Sequence, residues 1–265
     1  MKITIAAFSL IGVIGIICSG QDASFNQLDK KGGLYYQKNS HALFTGDAIK
    51  LDLARIVLEK ISIKKGLLDG VGIVVDDGGE NIGEGIFKNG NGILHLYYNY
   101  DKTTILEETH YENNLRQGKS IRYYENGRPA EETFFDKDML HGTDTIWREN
   151  GTIVFTKEWK NGELNGKWLE FYETGEKEGE GSFKNGKGRL IRWYKNGAIQ
   201  EITSFKNSKE DGRSLSWHEN GKKSSEASFK NGMVHGELIE WDKNGKIAKD
   251  EVYKNGFFCY SKLKK

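Results

Sequence analysis

Glycine returns along this chain at a nearly fixed interval, and that interval limits the folds open to it more than any other feature. Gly46, Gly70, Gly92, Gly118, Gly142, Gly166, Gly188, Gly212 and Gly236 follow one another at steps of 22, 24 or 26 residues. Nine residues after most of them stands a second glycine: Gly79, Gly127, Gly151, Gly175, Gly197, Gly221 and Gly245. Eight residues further comes a ring: Phe87, Phe135, Trp159, Phe183, Phe205, Phe229 or Tyr253. Self-similarity at such a period marks an array of small supersecondary units, each stacked on the next.

Within a unit the pattern is that of a β-hairpin. Counting from the opening glycine, position +3 is aliphatic in most units (Ile49, Ile73, Ile121, Leu169, Ile191, Leu215, Ile239). Position +5 is mostly a ring: Tyr97, Tyr123, Trp147, Phe171, Trp193, Trp217 and Trp241. Residues two apart share a strand face, so these positions form one apolar face. Arg122, Asp144, Glu170, Arg192, Ser216 and Glu240, at +2 or +4, form a polar one. The expected seam joins +3, +5 and the returning-strand ring, with Trp147, Phe171, Trp193, Trp217 and Trp241 as its structural ladder. Asn-Gly pairs such as Asn126-Gly127 and Asn196-Gly197 predict two-residue type I′ turns, which need positive φ at both central residues. Asn161-Gly162 and Asn231-Gly232 give the same signal between units.

The fold class expected is all-β: an elongated antiparallel meander of tandem hairpins of about 24 residues, some eighteen strands in all. The expected organisation is a targeting segment at 1–20, an N-terminal cap with a partial repeat at 21–45, nine repeats over 46–256 and a C-terminal cap and tail at 257–265. The repeat opening at Gly92 is irregular, with Tyr100-Asp101 where a turn glycine belongs. Pro129 removes a ladder donor at the start of a returning strand.

Composition agrees with paired backbone. Thirty-three glycines accompany a single proline, and aromatics reach 12%, too much ring surface for a disordered chain. Lys plus Arg is 39 against 38 Asp plus Glu, interspersed throughout, which argues against nucleic acid as a partner. Met1–Gly20 carries Lys2, an apolar run from Ile3 to Ile17 and small residues before Gln21. This is the plan of a secretory signal peptide cleaved near Gly20, too short in its apolar part for a spanning helix. Acylation of Cys18 is a less favoured alternative, since bulky Ile residues precede it. After cleavage Cys259 is the remaining cysteine, so no internal disulfide is expected.

No residue pattern calls for catalysis, a metal or a cofactor. His141 and His235 occupy a repeat position that elsewhere holds Asp69, Gln117, Asn165 or Asp211, a polar loop position; His218 at +6 reads as surface. Gly83-Glu84-Gly85 and Gly179-Glu180-Gly181 lie in returning strands, with no helix after them to make a phosphate loop. The +6 tyrosines Tyr98, Tyr124, Tyr172 and Tyr194 point away from the +5 rings and are the candidate partner-binding residues, unless they pack across strands to stiffen the sheet.

The unit G-x-x-x-x-[YW]-[YH]-[EK]-N-G, closed by an aromatic-K-N-G, resembles the bacterial variant of the MORN repeat. From about Gly33 to Gly256 the chain is similar to YwqK-like antitoxins of toxin–antitoxin systems. The resemblance implies an antiparallel scaffold for protein contacts, membrane contact having been proposed for some relatives, and no catalytic residues. The function expected is a non-enzymatic exported scaffold for protein–protein interaction. Alternatives are a glycan- or membrane-surface-binding module, or the antitoxin partner of a neighbouring toxin.

Overall fold

The computed structural model describes residues 14–15, 23–24, 28–51, 57–76 and 78–263. The targeting segment expected at 1–20 lies outside the described residues except for Ile14 and Gly15. Every regular element described is a strand. The chain divides into two compact units, Met1–Arg128 and Pro129–Lys265, and in each the strands succeed one another as antiparallel hairpins.

In the second unit each repeat consists of an outgoing strand, an outer turn, a returning strand and an inner turn to the next repeat. Glu163–Phe171 pairs with Lys177–Lys184, which pairs with Lys187–Trp193 and then with Ile199–Lys206. The series continues to Phe257–Ser261, which among the described residues is paired on one side only, with Ile247–Lys254. The first unit repeats the plan from Gly46–Leu51 to Leu115–Tyr123. Ahead of it, Leu28–Lys31 and Leu34–Gln37 form a separate hairpin whose Tyr35 is buried together with Phe44.

The register overturns the expected seam. In the repeat opening at Gly188, Ile191 faces Ile202, Arg192 faces Glu201 and Gly188 faces Phe205. Each position is therefore paired with the one that brings the sum to 17, which puts the ring at +17 beside the opening glycine. Directly opposed residues share a sheet face, so the ring lies with +2 and +4, not with +3 and +5. The core confirms the assignment: Leu164, Phe183, Leu190 and Phe205 are buried, with Trp159 and Trp168 packed on them. They occupy positions −2, +17 and +2. The first unit has Ala48, Ile63, Leu68 and Phe87 in the same places. Of the five ladder residues, none is buried; all five are half-buried on the opposite face.

The core closes because the repeats converge at their inner turns. Trp168 and Phe205 are three strand steps apart, about 14 Å on a flat sheet, yet their ring centroids are 5.6 Å apart. Gly186 N donates to Leu164 O at 2.8 Å and Ser208 N donates to Gly186 O at 2.9 Å, so inner turns of successive repeats are hydrogen-bonded directly. Glycine leaves room for the rings. A Cβ on Gly181 would stand 2.5 Å from the Phe183 ring, and one on Gly188 would stand 2.6 Å from it. The Gly-Glu-Gly segments thus serve packing.

The two kinds of turn differ. At the inner turns both central residues are left-handed, as in Asn161 (φ 52°) and Gly162 (φ 80°), the type I′ geometry. At the outer turns that carry a glycine only the glycine is, with φ 83° at Gly197. There Tyr194 N donates to Ala198 O and Gly197 N donates to Tyr194 O, enclosing three residues. That is a type I turn closed by a left-handed glycine, and it replaces the two-residue turn expected from Asn-Gly. Asn196 contributes its side chain instead, Oδ1 accepting from Ala198 N at 2.9 Å.

The step lengths also have a structural cause. Where the step is 24, Lys160 faces Glu163 and Trp159 faces Leu164, but Lys157 faces Trp168; the Asn165-Gly166 pair is bulged out. Where it is 22, as before Gly188, the register runs unbroken. The missing two residues are the bulge.

Candidate functional site

The +6 residues are stitches between repeats. The Tyr98 hydroxyl donates to Tyr123 O at 2.7 Å, Tyr194 to Trp217 O at 2.8 Å, and Tyr172 to Trp193 O. His218 Nε2 donates to Trp241 O at 2.8 Å, and Arg148 Nη2 to Phe171 O at 2.8 Å. Each spans to the +5 carbonyl of the following repeat at the outer-turn end of the strands. His218 is therefore half-buried and bonded, a correction to its reading as surface. Tyr124 is half-buried in the same position. With the hydroxyls committed, the tyrosine rings are what a ligand would meet.

Two of those rings, Tyr172 and Tyr194, border a shallow cleft of about 480 Å³ lined also by Glu176, Lys177, Trp193 and Lys195; Tyr98 and Tyr124 lie outside it. Lys195 Nζ is 5.3 Å from the centroid of the Tyr172 ring, and Lys177 Nζ is 5.7 Å from that of Trp193. Two repeats on, Lys223 lies 5.3 Å from Trp241. On the face opposite the core a lysine of the preceding repeat thus stands against the rings of Trp193 and Trp241, whose directly opposed residues are Ile199 and Ile247. One row of that face reads Leu169, Glu180, Ile191, Ile202, Leu215, Glu226, Ile239 and Asp250 by successive pairing. Beside it, Phe171, Trp193, Trp217 and Trp241 recur once per repeat. Aliphatic and aromatic surface with carboxylates and ammonium groups set among it suits binding, since rings give contact area at little cost in side-chain entropy.

The face with the core holds charge that the sequence places in the polar set. Arg192 donates from Nε to Glu170 at 2.6 Å and from Nη1 to Glu201 at 2.7 Å. Hydrogen bonds to Glu170, against the opposing effect of burial, raise the guanidinium further above its ordinary value. Burial pushes Glu201 up, but Thr203, Arg192 and Ser214 bond to it and the net displacement is downward. Asp144 is raised, first by burial and then by Glu131, and burial lowers Lys157. Lys157 Nζ sits 4.1 Å from the Trp168 ring centroid and 3.9 Å from that of Phe155. All of these perturbed groups have structural partners, and none lines the cleft at Tyr172 and Trp193.

Asn114 carries no signal of its own in the sequence. It stands left-handed where most inner turns have glycine, as do Asp138 and Ser208 in theirs, and it is 1% exposed. Its Oδ1 accepts from Leu68 N, and its Nδ2 donates to Gly33 O and Gly66 O, each at 2.7 Å. Only the stacked inner turns bring those groups together. His95 and Glu108 pair at 3.2 Å across strands, and His235 meets Asn255 at 3.0 Å, a loop contact. Among the described residues no three metal-binding side chains converge.

A repeat of this length, with left-handed glycines at its turns and a ring opposite its opening glycine, can be compared with known repeat families. The MORN repeat variant model matches residues 116–137, 164–185, 187–207, 210–231 and 234–255. Five segments of this chain are matched by the MORN repeat variant. Each MORN-variant segment runs from the −2 residue, or just after it, to the inner turn, so the boundaries of the match are those of the packing unit. Such repeats are generally non-enzymatic. No curated protein matches the chain.

Proposed function

We propose that the protein is a non-enzymatic repeat scaffold that binds a protein partner across the face opposite its core. The observation that carries this reading is the recurrence, once per repeat, of a half-buried aliphatic residue at +3 and a ring at +5, over Phe171, Trp193, Trp217 and Trp241, with Glu180, Glu226 and Asp250 set among them. A scaffold that needed the face only for its own stability would have buried it. The MORN-variant segments support the same reading. The apolar Ile3–Ile17 run behind Lys2 supports export, with cleavage near Gly20, and so a partner in the cell envelope or outside it. The likeness to YwqK-like antitoxins supports a toxin as one such partner.

Crosslinking of the tagged protein in intact cells, followed by purification from the envelope fraction, tests this. A specific partner is expected, and it should be lost in a Trp193→Ser, Trp217→Ser double variant whose circular dichroism matches the parent. A folded variant that keeps its partner, or a wild type that crosslinks to nothing above background, refutes the assignment. Mapping the signal sequence by N-terminal sequencing of the mature protein tests the export arm.

A further inference from the structure

On the same face, but beside the inner turns, lies a second depression of about 500 Å³. It is lined by Ser182, Lys187, Arg189, Ser204, Lys206 and Asp211, among others. Three features set it apart. First, Arg189 is the only arginine among the described residues whose side chain makes no hydrogen bond or ion pair; Arg148, Arg192 and Arg213, for instance, are all engaged. Second, the register puts Lys184 directly opposite Lys187 and Lys206 directly opposite Lys209. Like charges so placed repel. At the same position the other inner hairpins pair Lys64 with Leu67, Lys88 with Asn91, Glu112 with Leu115, Asp136 with Met139, Lys160 with Glu163, Lys230 with Met233 and Lys254 with Phe257. The repulsive arrangement occurs in two consecutive hairpins and nowhere else in the described strands. Third, Ser182 and Ser204 flank Arg189 on both sides in the register, adding two hydroxyl donors to the guanidinium fork. Asp211 is the acid at the rim, and its carboxylate already accepts from Asn231 N at 3.2 Å.

We propose that this depression binds a phosphate group, with Arg189 as its fork, Lys187 and Lys206 as flanking charges and the two serine hydroxyls as further donors. A guanidinium matches two oxygens of a tetrahedral anion at once, and charge-assisted bonds of this kind are the strong ones. The bound anion neutralises the lysine pairs that otherwise oppose folding. The site is independent of the aromatic row and stands or falls without it.

Pyrophosphate is the probe for the isolated protein. Added at low ionic strength, it should raise the Tm in a saturable way, and the effect should weaken with sodium chloride. Arg189→Ala should weaken the affinity at least tenfold. Lys187→Glu should do the same while raising the ligand-free Tm, because it turns a like-charge pair into an opposite one; a folding defect would lower it. Vesicles of phosphatidylcholine with five per cent phosphatidylinositol 4,5-bisphosphate locate the natural source. Retention that pyrophosphate competes away assigns the phosphate to a lipid headgroup, whereas pyrophosphate binding without retention assigns it to a soluble ligand. No saturable response to either probe, or a response that survives Arg189→Ala undiminished, overturns the proposal.

Discussion

Arg192 shows how a charge can sit on the packed face of a thin sheet. Its side chain is 28% exposed and bridges two carboxylates that flank it in consecutive hairpins. Removing one member of such a cluster strands the others. Arg192→Leu is therefore expected to cost about 2–4 kcal/mol at neutral pH, less than full burial would imply. Glu201 lies below its ordinary value in the folded protein. Its contribution is complete above the unfolded carboxylate range and is lost as pH falls through the folded value. The deficit of Arg192→Leu should accordingly shrink in acid, which urea denaturation across that range measures. Asp144 runs the other way: burial holds its carboxyl above the ordinary value, so its charge opposes folding at neutral pH. Asp144→Asn should raise the Tm at neutral pH and lose that advantage once acid protonates Asp144 in both states. Neither assignment could be read from residue type, since an arginine at +4 looks the same whether solvated or enclosed by its neighbours.

At the scale of the hairpin, glycine does two jobs that a single substitution separates. A Cβ on Gly197 would meet nothing within 4 Å, so Gly197→Ala tests the left-handed backbone alone. About 1–2 kcal/mol is expected, with Gly197→Asn milder. At Gly181 the backbone is ordinary, but a Cβ would come within 2.5 Å of the Phe183 ring and 2.9 Å of Arg189 O. Gly181→Ala must displace a core ring and should cost more than Gly197→Ala; equal losses in chemical denaturation would contradict this division. The hairpins themselves were legible, because glycine spacing and period-two patterning mark strands and turns directly. The turn type was not, since Asn-Gly serves both a two-residue and a three-residue loop, and only hydrogen bonds distinguish them. The bulges explain why steps of 22 and 24 coexist, yet nothing local announces them.

The whole array depends on neighbours, because each hairpin alone buries too little to fold. Deleting 24 residues, 212–235, joins one inner turn to the next opening glycine in register. The shortened protein should keep its β-sheet spectrum and a cooperative transition, with a Tm lowered by several degrees. Deleting 23 residues, 212–234, shifts the join by one position and turns every following side chain to the wrong face. That variant should lose cooperativity; if both deletions behave alike, the register does not organise the core.

Taken alone, the sequence determined the element type, the succession of hairpins and the residues that recur. Those follow from short-range chemistry: left-handed backbone demands glycine, and alternation demands a strand. It did not decide which face is the core. The ring at +17 belongs with the opening glycine only through pairing across the hairpin, and the face is enclosed only because inner turns hydrogen-bond one repeat to the next. Nor did it reveal that the +6 tyrosines spend their hydroxyls on carbonyls of the following repeat, or that Asn114 joins segments as far away as Gly33. Each of these depends on groups distant in the chain being brought within about 3 Å, and no local pattern encodes that distance.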